Sequence, residues 1–222
     1  MGRCGVVVKD RELSGLYAFL TKPLFFRARF VLALLVVPLV LSFTQPLWRV
    51  QFYSAQYPDG LTLDVYAHTI EGGRGGADLR EINILNHTIG MRALDRHDLS
   101  DLDWLPFAIG LVALLALRSA AIGDVRSLVD VVAVTFYVVA FAALRFTYRL
   151  HSYGHSLDPD APVKVPPFSP AMFGNQQIGD VSTFAGPRAG MLLIALFSVG
   201  ALALLVVHLV AGRREHAKER AA

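Results

Sequence analysis

"AGMLLIALFSVGALALLVVHLVAG", Ala189–Gly212, decides the class of this chain. It contains no Asp, Glu, Lys or Arg. A helix needs about 20 apolar residues to cross ~30 Å of hydrocarbon, and this run is long enough. Its one titratable side chain is His208. Working back towards the amino terminus, three further runs have the same character. Leu128–Leu144 is "LVDVVAVTFYVVAFAAL", Trp104–Leu117 is "WLPFAIGLVALLAL", and Phe30–Trp48 is "FVLALLVVPLVLSFTQPLW". The middle two are short for a span. They reach full length if Ser119–Gly123 extends one and if Arg118 and Arg145 lay their stems along the helix ends. Pro38, inside the first run, is tolerated where neighbours satisfy the carbonyl it frees.

Composition agrees with this reading. Of 222 residues 54% are hydrophobic, and the mean hydropathy is +0.47, higher than ordinary soluble domains average. A pI near 9.2 would fit a nucleic-acid binder, but the basic residues border the apolar runs and form no continuous stripe. They read as topology signals, so nucleic acid is not an expected partner. Cys4 is the single cysteine, which excludes an internal disulfide.

The expected fold class is an all-α membrane protein of four transmembrane helices, with a small mixed α/β extracytoplasmic cap from two loops. Twelve of the 21 Lys and Arg fall in the first 29 residues, in 118–127 and after Gly212. The side richer in Lys and Arg is cytoplasmic. Both termini are therefore expected inside, in a bacterial inner membrane. The expected layout is a cytoplasmic lead-in over 1–29, spans at 30–48, 104–123, 128–146 and 189–212, and a cytoplasmic turn at 124–127. External loops cover 49–103 and 147–188, and a tail covers 213–222. Leu13, Leu16, Tyr17 and Leu20 repeat at helical spacing, as in a helix lying on the membrane surface.

In the first external loop, Pro58-Asp59-Gly60 reads as a turn, and the alternation of Leu61, Leu63 and Val65 reads as a half-buried strand. After "EGGRGG", Asp78 and Glu81 have the spacing of a capping box. Leu79, Ile82, Leu85 and Ile89 mark an apolar helix face, with Asn83, Asn86 and His87 opposite, and Gly90 is placed to end the helix. The Asn86-His87-Thr88 acceptor pattern falls inside that helix and is discounted as a glycosylation site. The second loop has five prolines between Pro159 and Pro170, too many for a regular helix. Its apolar Val163, Val165, Phe168, Met172 and Phe173 suggest an extended strap packed on the first loop.

The chemistry concentrates in these loops. If the third span continues past the lipid, His151 and His155 share a helix face at i, i+4, the spacing that offers two imidazoles to one metal. Gly154 weakens that helix but allows close approach. His87 and Met91 could add a nitrogen and a thioether, and Asp158 a carboxylate. Imidazole with thioether and no thiolate favours copper, with zinc possible. The competing reading is a polar collar of hydrogen-bonding side chains. His68 and His97 read as packing residues, Met91 and Met172 either as core filler or, one of them, as the soft exchangeable ligand, and Asp158 and Asp160 by default as turn formers. No nucleophile elbow, phosphate-cradling Gly-Lys loop or dinucleotide fingerprint occurs, so catalysis is not the leading expectation.

The blocks "YPDGLTLDVY", "REINILNHTIGM" and "HSYGHSLDPDAPVKVPPFSP" resemble a group of bacterial four-span membrane proteins associated with copper-enzyme accessory genes, including those for nitrous oxide reductase maturation. The resemblance covers the two loops. It implies a copper-related role and singles out His87, Met91, His151, His155 and Asp158. The expected function is thus a copper-binding accessory protein that holds or supplies metal for a membrane or periplasmic enzyme. A metal-free structural subunit of a larger membrane complex is the alternative. Expected partners are the lipid bilayer and that enzyme or complex.

Overall fold

In the computed structural model, residues 23–96, 101–178 and 181–221 are described. Four helices are long and apolar enough to cross a membrane: Phe26–Thr44, Asp103–Ile122, Val125–His155 and Ala189–Ala211. The helices are α1 (Phe26–Leu41), α2 (Ala77–Thr88), α3 (Asp101–Ile122), α4 (Val125–His155) and α5 (Ala189–Ala221). The strands are β1 (Trp48–Ser54), β2 (Tyr57–Val65), β3 (Ile70–Gly72), β4 (Gly174–Ile178) and β5 (Val181–Pro187). Cys4, most of the amphipathic lead-in, His97 and the side chain of His216 lie outside the described residues.

The first span closes earlier than its apolarity suggests. The Ser42 hydroxyl donates to Leu39 O at 2.7 Å and that of Thr44 to Leu41 O at 2.9 Å, tightening the end into a 3₁₀ turn. Pro46 follows, and Trp48 begins a strand rather than ending a helix. The third span behaves in the opposite way. Nothing between Leu144 and His155 interrupts the helix, so α4 carries its polar end well beyond the apolar stretch.

The chain packs as two compact units. One comprises residues up to Val37, Leu111–Tyr137 and Leu196 onwards. Leu32, Val36, Ala116, Leu128, Val131, Phe197 and Ala201 are buried in it. Small residues let these helices approach: a Cβ on Gly200 would come within 2.8 Å of the Leu35 side chain. His208 is buried and hydrogen-bonded, with Nδ1 on Leu204 O at 2.7 Å and Nε2 accepting from Phe25 N at 3.3 Å. A polar ring in an apolar segment is thereby satisfied within the chain.

The other unit, 38–110 with 138–195, holds a five-stranded antiparallel sheet in the order β3-β2-β1-β5-β4. β1 pairs with β2 on one side and β5 on the other, Phe52 facing Thr183. The two polar segments between spans therefore form one cap, as expected, and they do so by sharing a sheet. Leu61, Leu63 and Ile70 from the sheet and Ile82 from α2 form its core, with Leu79 and Leu85 packed against them. Arg49 and Asp64 face each other across β1 and β2, paired through two bonds of 2.6 Å. That carboxylate raises the pKa of the guanidinium.

Three local expectations are corrected. Pro58-Asp59-Gly60 is not the hairpin turn. The turn is Ala55-Gln56, and Pro58–Gly60 form an irregularity inside β2, with Gly60 at φ +79° under the Tyr53 ring. Asp78 is not the helix cap, because Gly76 occupies that position in a left-handed conformation. Asp78 lies inside the first turn, buried, where it accepts from Thr62 N at 2.9 Å and pairs with Arg74. Asn86 does not face solvent. It is buried, while His87 beside it is exposed.

Glu81, the second half of the supposed box, instead accepts a hydrogen bond from the Tyr57 hydroxyl. This bond raises the phenol's pKa above the ordinary value of about 10. The neutral phenol is therefore favoured by folding. Its contribution is complete below the unfolded phenol's pKa and is lost as pH rises through the folded value. Alkaline unfolding of a Tyr57→Phe variant should accordingly show a weaker fall in stability above pH ~10 than wild type, measured by denaturant midpoints across that range.

Candidate metal site

The polar end of α4 and the strap over 157–173 build the site. Gly154 is buried, and the strap crosses it directly: Phe168 N donates to Gly154 O at 3.1 Å. A Cβ at position 154 would lie 1.8 Å from Phe168 O, so only glycine admits the strap here. On either side of this crossing the strap meets the helix through side chains. Ser169 Oγ lies 3.1 Å from His151 Nδ1, and Met172 Sδ lies 3.3 Å from Thr147 Oγ1. Thr147 and His151 are one helical turn apart, so serine and thioether follow α4 in register.

His151 and His155 do share a face. Their rings stack with centroids 3.8 Å apart and planes 29° from parallel. His155 Nδ1 lies 2.9 Å from His151 O. A carbonyl can only accept, so Nδ1 carries the proton and Nε2 presents the lone pair of the neutral ring. The Ser169 hydroxyl can accept from the same tautomer of His151. Metal-binding histidines have one ring nitrogen held by an oxygen in this way; stacked face to face, these two rings carry their lone pairs side by side, so sharing one ion requires them to turn apart. Both rings are exposed.

His87 and Met91 lie at the opposite end of the strap. Gly90, at φ +79°, ends α2 as expected: Met91 N donates to Asn86 O at 2.8 Å and Gly90 N to His87 O at 3.2 Å. Asp158 N donates to Gly90 O at 2.8 Å, and Val163 N to Thr88 O at 3.0 Å. The strap thus packs on the first loop through backbone bonds. The Asp158 carboxylate accepts from Asp160 N at 2.9 Å, the local turn anticipated for this aspartate pair. Among the described residues no group of three or more His, Cys, Asp or Glu gathers closely enough to hold a metal. The structure brings His151 and His155 together and places Met172 one turn away, while His87, Met91 and Asp158 belong to the strap's other anchor.

Sequence reading assigned no part to Ser169 or Thr147, because each acquires its role only when the strap lies on α4. Both are set by partners distant in the chain. His68, read as a packing residue, is exposed; its ring lies 6.1 Å from that of Tyr66, and its carbonyl accepts from Arg96 Nε at 2.9 Å. Trp48 packs against Phe173 at 4.8 Å and Phe146 at 5.6 Å, fixing the far end of the strap beside β1. Compared with known proteins, the chain matches no family model, no curated protein and no solved structure.

Proposed function

We propose that this chain is a copper-handling accessory protein of the bacterial inner membrane, with both termini cytoplasmic and the cap in the periplasm. It holds copper on His151 and His155 for a membrane or periplasmic enzyme, with Met172 as a soft, exchangeable ligand. The observation that carries this reading is the adjacent pair of imidazoles, each with Nδ1 beside an oxygen, which leaves Nε2 for a metal once the stacked rings turn apart. Two nitrogens and a thioether, with no cysteine among the described residues, form a donor set that suits copper. An exposed pair also suits a site that must give up its ion. The skew of Lys and Arg towards one set of segments supports the orientation.

The test is a Cu(I) competition titration of detergent-purified protein against a chromogenic chelator. Replacing either His151 or His155 by alanine should weaken binding at least tenfold, and Met172→Leu should weaken it less. Because protons compete for the same nitrogens, affinity should also fall with acidification. Equal affinity in all variants would remove copper from this site and leave the alternative, a metal-free subunit whose collar contacts a larger complex.

A further inference from the structure

Charges sit where α3 and α4, each long and apolar enough to cross a membrane, turn into one another. Arg118 lies four residues before the end of α3, and Asp130 five residues after the start of α4. At 1.5 Å per residue both stand about 6–8 Å inside the helix ends, comparable with the thickness of a headgroup layer. Ionisable side chains within a span are costly, and where they occur they mark a polar site. The two helices are joined at this level, with Ser119 Oγ, buried, 3.0 Å from Ser127 Oγ.

Arg118, Asp124, Arg126 and Asp130, with Ile122 and Ser127, line one cleft of about 350 Å³, a volume within the range of small-ligand sites. Its two guanidiniums and two carboxylates cancel in charge. Among the described residues, however, none of the four is ion-paired with another. An anion alone would meet the carboxylates, and a cation alone the guanidiniums. A ligand that carries both signs satisfies all four. Guanidiniums hold a phosphate through paired N–H bonds, and a primary ammonium donates to carboxylates. A trimethylated ammonium has no N–H and is held instead on aromatic faces, and no aromatic residue lines this cleft.

We infer that this cleft binds the phosphoethanolamine headgroup of a membrane phospholipid, with Arg118 and Arg126 on the phosphate and Asp124 and Asp130 on the ammonium. The cleft's place at the ends of two span-length helices favours a lipid over the free headgroup. Ile122, 46% exposed, adds apolar surface for the glycerol end. The site is independent of the histidines.

The experiment is native mass spectrometry of the full chain in detergent micelles. The protein is first stripped of lipid. It then receives equal amounts of phosphatidylethanolamine, phosphatidylcholine and phosphatidylglycerol with the same acyl chains. Wild type should retain phosphatidylethanolamine about fivefold over either of the others. Arg118→Gln/Arg126→Gln should lose that preference, having no phosphate donors. Asp124→Asn/Asp130→Asn should lose it to phosphatidylglycerol, because the carboxylates no longer repel an anionic headgroup. Thermal midpoints confirm that each variant is folded, and one folded variant suffices for the comparison. Soluble phosphoethanolamine at the lipid's own concentration should leave the retained lipid in place, and displacement would overturn the membrane as its source. Equal retention of the three lipids, preference for either of the others, or a preference that survives in a folded double variant overturns the site.

Discussion

Gly154→Ala should destabilise the cap and lower copper affinity, although alanine is the better helix former. In an open helix the substitution would gain roughly 1 kcal/mol. Here the new Cβ would lie 1.8 Å from Phe168 O, far inside van der Waals contact, and 3.1 Å from the Pro170 ring. The obstacle is backbone on one side and a rigid ring on the other, so no side chain can swing away. The strap has to lift. Lifting it breaks the bond from Phe168 N to Gly154 O and withdraws Ser169 from His151. An overpacked contact of this kind costs on the order of 1–3 kcal/mol, which exceeds the propensity gain. Thermal unfolding in detergent should show a lower midpoint, and Cu(I) affinity should fall with it because the His151 ring loses its anchor. A Gly154→Ala protein as stable as wild type would mean that the strap does not rest on α4.

Asp78→Ala should be among the most damaging substitutions in the cap. The carboxylate is buried at 3% exposure, and it joins three elements. One oxygen accepts from Thr62 N in β2, and the other pairs with Arg74 in the glycine-rich loop that leads into α2. Gly73 makes the room, since a Cβ there would sit 2.4 Å from the carboxylate oxygen. Alanine leaves the Thr62 amide and the Arg74 guanidinium without an acceptor and opens a gap beneath α2. The stranded Thr62 amide and the gap together cost about 2–3 kcal/mol, while the Arg74 guanidinium, 60% exposed, is taken up by water. Asp78→Asn keeps an acceptor of the same shape and should cost less, about 1–2 kcal/mol. Thermal midpoints should rank wild type above Asn and Asn above Ala. If Ala and Asn proved equally mild, Asp78 would not be the joint between sheet and helix.

The carboxylate also shows where sequence reading reaches its limit. The spacing of Asp78 and Glu81 is that of a capping box, and local pattern alone prefers that reading. Tertiary partners displaced it, because Thr62 and Tyr57 on β2 compete for the same two carboxylates. The four spans were legible because hydrocarbon imposes length and apolarity residue by residue. The helix end at Gly90 and the strand through Leu61 and Leu63 were legible for similar local reasons. The β4–β5 hairpin was not. "GNQQI" has almost none of the β-branched and aromatic residues that mark strands, and β5 is held by β1, far away in the chain. β1 was hidden differently, since its Trp48 continues the apolar run of the first span. Of the site, the i, i+4 histidines were visible from spacing once α4 was allowed to outrun the lipid. Ser169, which anchors one of them, had no local signal at all.

The copper content of detergent-purified wild-type protein, measured by mass spectrometry beside the His151→Ala/His155→Ala double variant, is the most direct test of the metal site. Copper retained in wild type and lost in the double variant, with the cap still folded, is the expected result. Negligible copper in both, or equal copper in both, would contradict it and leave the paired histidines as a polar collar at the end of α4.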